Sequence, residues 1–93
     1  MAEKLGREEL ASARAELTGW SVDENAAKRS FKFKDFAEAF DFMKRVAVIV
    51  DKADHHPDWS NSYNTVEITL STHDAGGLTQ KDVSVARDIS ALV

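Results

Sequence analysis

All three histidines of this chain fall between positions 55 and 73: His55 and His56 stand side by side ahead of Pro57, and His73 follows. Imidazole is the side chain whose ordinary titration range lets it give and take protons near neutral pH. The chain has no cysteine, which excludes thiolate nucleophiles, disulfides and cysteine-ligated metals together. Acid–base chemistry therefore has one place to be built. Asp51 lies four residues before His55. On a helix the two share a face, and a carboxylate beside an imidazole favours the imidazolium and fixes its tautomer. The partial negative charge of a helix C-terminus acts in the same direction. Pro57 holds His56 extended, so His56 is expected to point away from His55. His73 continues the polar parity of Thr65, Glu67, Thr69 and Ser71, which would aim it off a strand on the face away from the helices. Two imidazoles from a helix end and one from a strand end can line a single cleft and move protons on a small substrate. Trp59 would offer a flat apolar surface to a planar ring.

Plainer readings exist for the same residues. His-His-Pro also fits a helix-ending loop. Three histidines and an aspartate are metal-ligand types, but neighbouring histidines diverge and no His-x-His or His-x-x-x-His pair occurs, so no metal site is expected. Gly76-Gly77 lacks the surroundings of a phosphate loop and reads as a turn. Asp82 reads first as a helix cap.

The elements that must position these groups are legible from periodicity. Gly6 is an N-cap with Glu9 three residues on, and Leu5 can staple onto Leu10. Leu10, Ala13 and Leu17 form the stripe of a helix that Thr18-Gly19 ends. Trp20 and Val22 fit a short strand, Asp23-Glu24-Asn25 a turn, and Arg29 to Lys34 an alternating strand with Phe31 and Phe33 on one face. Asp35, with Glu38 in the capping-box position, opens the second helix. Its expected core face is Phe36, Phe40, Met43, Val46, Ala47 and Val50, and Pro57 ends it at about Asp54 or His55. Asp58 to Ser62 and Thr65 to Ser71 are strands joined by a turn at Tyr63-Asn64. A loop at 74–77 precedes a last helix with Thr79 as cap, Asp82 as box acid, and Leu78 and Val83 as staple. Ala86, Ile89 and Val93, with Leu92 beside them, continue its stripe. The order is αββαββα. The expected fold is α+β, a four-stranded antiparallel sheet with helices over one face.

Ninety-three residues make a single domain, 1–93, in which self-association would add buried surface. The formal net charge of -4 and the lack of a long basic run argue against a nucleic-acid backbone binder. No apolar leader opens the chain and no apolar run approaches the roughly 20 residues of a membrane span. The expected setting is cytoplasmic, away from membranes.

Asp51, His55-His56-Pro57, Tyr63, His73 and Asp82 meet a known spacing: a charged residue, three residues, His-His-Pro, five or six residues, an aromatic, nine residues, His, and a later Asp. Together with Phe31 to Phe36, the run Trp59 to His73 and Gly77-Leu78-Thr79, this resembles the pterin-4a-carbinolamine dehydratase family, also known as dimerisation cofactors of a homeodomain transcription factor. The likeness spans essentially the whole chain. It implies dehydration of a 4a-hydroxytetrahydropterin to the quinonoid dihydropterin, in recycling of tetrahydrobiopterin or a related pterin, with no metal or organic cofactor. By the same resemblance, His55 and His73 are the acid/base pair and His56 binds the pterin. Asp51 supports His55, and Trp59, Ser71 and Thr72 line the pocket. Family members form dimers by extending the sheet, and some form tetramers. Some relatives act as transcriptional coactivators or assembly chaperones, so the alternative is a non-catalytic protein-binding module on the same fold. Ala75 and Lys81 stand where the mammalian protein has cysteine and arginine.

Overall fold

Alternating side chains decide how the sheet lies. In β2 (Ala27–Lys32) and β4 (Thr65–Leu70), Ala27, Phe31, Val66, Ile68 and Leu70 are buried, while Lys28, Ser30, Lys32 and Glu67 face solvent. A computed structural model, which describes residues 3–93, joins these strands to β1 (Ser21–Val22) and β3 (Asp58–Ser62) in the order β1-β2-β4-β3, every pair antiparallel. The expected four-stranded sheet is present. Its second strand begins two residues earlier than the alternation suggested and stops at Lys32. Phe33 lies beyond it, half-buried, with its backbone N–H on the Asn64 carbonyl at 2.8 Å.

Helices α1 (Arg7–Glu16), α2 (Phe36–Ala53) and α3 (Gln80–Ser90) complete the chain, with a short 3₁₀ turn at His73–Ala75. The caps follow local chemistry. Gly6 N–H donates to Glu9 Oε1 at 3.0 Å, and Asp35 Oδ1 accepts from Glu38 N–H at 2.9 Å. Helix α2 ends on Asp54, which adopts the left-handed conformation at φ 51°. Aspartate tolerates that conformation better than most residues. The β3–β4 hairpin turns on Tyr63-Asn64, with Tyr63 at φ 50°. No helix among the described residues is long and apolar enough to cross a membrane.

The face of α2 differs from expectation. Ala39, Phe42, Val46 and Val50 are buried, whereas Phe36 and Phe40 are 46% and 48% exposed and Ala47 also faces solvent. Apolar residues fill two adjoining stripes of this helix, and hydrophobic spacing alone does not say which one the sheet takes. Phe42 decides it: its ring packs on Phe31 at 4.7 Å and Phe33 at 4.9 Å between centroids. Val93, expected in the α3 stripe, is exposed, and Val85 is buried instead.

The segment after β4 is fixed by backbone pairing. Thr72 and Gly77 exchange N–H···O bonds of 3.0 and 3.3 Å, Leu78 N–H donates to Glu24 O, and Leu5 N–H donates to Leu78 O. A Cβ on Gly77 would lie 2.4 Å from Glu24 O. Glycine is therefore required for this close approach rather than for an unusual dihedral.

Candidate active site

The site is assembled where α2 ends and α3 begins. His55 lies just past the left-handed Asp54, so it has left the helical spiral even though its N–H still bonds Val50 O at 3.0 Å. Its ring therefore does not sit over Asp51. His55 Nε2 instead meets Asp82 Oδ1 at 2.5 Å, and the two side chains are 11% and 0% exposed. The expected Asp51–His55 pair is thus corrected: Asp51 Oδ1 lies 3.5 Å from His56 Nε2, in a contact where both side chains are largely exposed. His55 and His56 do diverge, each toward its own carboxylate.

Asp82 is the residue whose importance the sequence understated. It keeps its capping role, since Oδ2 accepts the Thr79 N–H at 2.9 Å. The Thr79 hydroxyl lies 2.8 Å from Thr72 Oγ1. Thr72 in turn donates to Asp82 Oδ2 at 2.8 Å. The fully buried carboxylate thus has protein partners on both oxygens, as burial of a polar group requires. The signal in the sequence was its place as the closing Asp of the spacing that begins at Asp51.

His73 begins the 3₁₀ turn directly after Thr72 and is exposed. His73 does not continue the parity of β4, because that strand stops at Leu70 and His73 already belongs to the 3₁₀ turn. The network Thr79–Thr72–Asp82–His55 nevertheless brings the His55 ring into the same cluster as the backbone that carries His73. Ser71 is not part of it: its hydroxyl donates to Asn25 O at 2.7 Å.

A cavity of about 610 Å³ adjoins the His-His pair at His56, lined by Val48, Val50, Asp51, His56, Pro57 and Trp59 among others. Its wall is mainly apolar with a few polar groups, and its size is ordinary for a small-molecule site. The sequence-expected residues therefore divide. Asp51, His56 and Trp59 share the cavity, while His55 and Thr72 share the buried network, next to His73. Neither Ser71 nor Thr72 lines the cavity. Among the described residues no three His, Asp or Glu side chains are grouped so as to hold a metal ion.

Since Asp82 takes Nε2 of His55, Nδ1 is the ring nitrogen left without a protein partner among the described residues. No described residue bonds His55 Nδ1, and no buried polar side-chain atom lacks a partner, so Nδ1 is reached by solvent. An imidazole held by a buried carboxylate on one nitrogen and open on the other is the arrangement of a general base or acid.

Residues 3–92 match the family model described as pterin 4 alpha carbinolamine dehydratase. A protein of Mesorhizobium japonicum, provisionally named a pterin-4-alpha-carbinolamine dehydratase, is 52% identical over 90 residues, covering 95% of this chain and 92% of its own. One of Rhodospirillum rubrum with the same provisional name is 50% identical over 95 residues, covering 100% of this chain and 99% of its own. The crystal structure of a transcriptional coactivator/pterin dehydratase from Brucella melitensis superimposes with a TM-score of 0.90 at 46% identity, over 97% of this chain and 98% of that one. A pterin dehydratase-like protein identified as a RuBisCO assembly factor in the alpha-carboxysome shares the fold, with a TM-score of 0.62 at 22% identity over 72% of this chain and 77% of that one.

Proposed function

The chain belongs to the pterin 4 alpha carbinolamine dehydratase family, and on that footing we propose that it dehydrates a 4a-hydroxytetrahydropterin to the quinonoid dihydropterin and water. The observation that carries this reading is the buried His55–Asp82 couple, tied through Thr72 to the turn that carries His73. The reaction breaks the C4a–O bond and removes the N5 proton, so that the C4a–N5 double bond forms and the hydroxyl leaves as water. One group must protonate the departing hydroxyl and another must accept the N5 proton. His55 and His73 fill these roles, and no electrons are exchanged with a redox partner. His56, with Asp51 beside it, binds the pterin. Trp59 and Pro57 supply the apolar wall against which a planar bicyclic ring rests. The reading places the protein in pterin recycling in the cytoplasm.

Self-association belongs to the same proposal. β3 is an edge strand with unpaired main-chain groups, which a second copy can extend. Sedimentation equilibrium tests this, and a monomer at all concentrations refutes it.

The test of activity is stopped-flow decay of 4a-hydroxytetrahydropterin with wild type, His55→Ala, His73→Ala and the double variant. Wild type accelerates the decay, and the double variant loses about 10²–10⁴-fold, the usual worth of general acid–base help. No acceleration by folded wild type overturns the reading. A specific observation favours a second reading, a protein-binding module: Phe36, Phe40 and Val48 expose an apolar strip on α2. If His73→Ala abolishes turnover and leaves partner binding unchanged, the two roles coexist. If the protein binds a partner and shows no turnover, the second reading replaces the first.

A further inference from the structure

Thr72 sits between the His55–Asp82 couple and the turn that carries His73, and its side chain and backbone do separate work. The backbone is held by the paired bonds with Gly77 and by Ala75 N–H on Thr72 O at 3.1 Å. The hydroxyl plays no part in that. It donates instead to Asp82 Oδ2 at 2.8 Å, with the Thr79 hydroxyl 2.8 Å behind it. A hydroxyl has one proton. If Thr72 gives its proton to Asp82, the Thr79 hydroxyl must supply the proton between the two threonines. The donors then point one way: Thr79 O–H to Thr72, Thr72 O–H to Asp82 Oδ2, with the Thr79 backbone N–H on the same oxygen.

Two donors on Oδ2 leave Oδ1 as the oxygen that faces His55. An ionised carboxylate only accepts, so the group opposite Oδ1 has to be an N–H. The neutral ring of His55 then carries its proton on Nε2 and presents a lone pair at Nδ1. A tautomer set by the partner of the far nitrogen is the general behaviour of paired imidazoles.

We infer that Thr72 is a positioning residue for proton transfer: its hydroxyl orients the Asp82 carboxylate so that His55 holds its proton on Nε2 and reacts through Nδ1. The inference deepens the dehydratase reading and rests on it for the catalytic readout, though not for the spectroscopic one. Thr72 needs no contact with substrate to do this. Because the same residue opens the His73 turn, one hydroxyl fixes one member of the pair while its backbone seats the other.

The test compares wild type, Thr72→Val, which keeps the shape and removes the hydroxyl, and Thr72→Ser, which keeps the hydroxyl. The Thr79 hydroxyl lies 3.5 Å from Asp82 Oδ2 and could move into the gap, so the double variant T72V/T79V is measured beside them. Nitrogen-15 NMR of the imidazole, recorded where the ring is neutral, reads the His55 tautomer. Stopped-flow decay of 4a-hydroxytetrahydropterin reads kcat and KM.

In wild type His55 is the Nε2–H tautomer. T72V or the double variant shifts it toward a mixture and lowers kcat about tenfold, as expected for one hydrogen bond to a charged group, with KM within about twofold. T72S restores both. An Nδ1–H tautomer in wild type overturns the inference, as does a double variant with wild-type tautomer and kcat. Loss in T72S equal to that in T72V overturns it too, since the methyl group would then be what matters. If wild type shows the expected tautomer but no turnover, the dehydratase reading fails and the positioning of His55 stands.

Discussion

Replacing Asp82 with asparagine should separate the fold from the chemistry, because the two oxygens of this carboxylate serve different masters. Oδ2 faces the Thr79 backbone N–H, which can only donate, and the Thr72 hydroxyl. Oδ1 faces His55. In Asp82→Asn the amide oxygen must take the Thr79 side, since turning the NH₂ there would oppose two donors. The NH₂ then faces Nε2 of His55, which has to accept, and the ring proton moves to Nδ1. The ring stays in place with the wrong nitrogen protonated. We expect kcat to fall by about 10²–10⁴-fold, the range of a lost general acid–base contribution. Stability should suffer less. Every polar atom keeps a partner, and the change is from charge-assisted to neutral hydrogen bonds, about 1–2 kcal/mol. For a domain of this size that corresponds to about 5–15 °C in Tm. Asp82→Ala, by contrast, strands several buried polar groups at once, each costing about 1–3 kcal/mol, and should unfold much of the population. The assay is stopped-flow decay of 4a-hydroxytetrahydropterin together with calorimetry and imidazole NMR. A folded D82N protein that keeps turnover within about threefold of wild type, with His55 still protonated on Nε2, would refute the reasoning.

Other outcomes are as open to measurement. His56→Ala should raise KM and leave kcat within a few-fold, because His56 borders the cavity rather than the buried network; steady-state kinetics decide, and a kcat loss as large as that of His55→Ala contradicts the assignment. Gly77→Ala must displace the Glu24 carbonyl that its Cβ would meet at 2.4 Å, at about 1–3 kcal/mol by analogy with other overpacked sites, seen as a lower Tm. Phe36→Lys with Phe40→Lys should leave the monomer fold within about 0.5 kcal/mol per site, since both rings are half-exposed; a collapse in urea midpoint would mean that the strip is core. Two carboxyls give the stability a pH dependence. The Glu16 carboxyl is held below its ordinary range by its hydrogen bonds to Arg87, and Asp23 by the backbone N–H groups of Ala26 and then Asn25. Their contributions are complete above the unfolded-state values and are lost as pH falls through the depressed folded ones. Tm of wild type should therefore drop more steeply on acidification than Tm of Glu16→Gln with Asp23→Asn, and parallel curves would contradict this.

Element order was legible because each boundary has local chemistry. Gly6 with Glu9, Asp35 with Glu38, Pro57 after the His pair, and the two-residue turn at Tyr63-Asn64 all act within a few residues, and such signals survive folding. The face of α2 was not legible. Its apolar residues occupy two stripes, one ending up under the sheet with Phe42 and the other outside with Phe36, Phe40 and Val48. A helix that is apolar on two sides carries no information in its own periodicity about which side is buried. That information sits in Phe31 and Phe33, on another element.

The site divides along the same line. The histidines could be singled out from their types and from Pro57, but the carboxylate that pairs with His55 could not be found by helical spacing. Asp51 is four residues away, and the rule that pairs such neighbours requires both to lie on one helix. Asp54 breaks the helix between them with its left-handed backbone, so His55 faces the start of α3 and meets Asp82, 27 residues on. Thr72 adjoins His73 and Thr79 stands three residues before Asp82, but their spacing does not say that the two hydroxyls meet at that carboxylate, as they do. Asp82 looked like a cap because it is one: its bond to Thr79 N–H is the capping bond. The fold has given one carboxylate two jobs, closing the first turn of α3 with one oxygen and holding the imidazole with the other. A helix N-terminus is a favourable place for a buried negative charge, which is why a residue carrying both can stay fully desolvated. It follows that shortening or shifting the start of α3 should disturb His55 as directly as a substitution within the histidine pair itself.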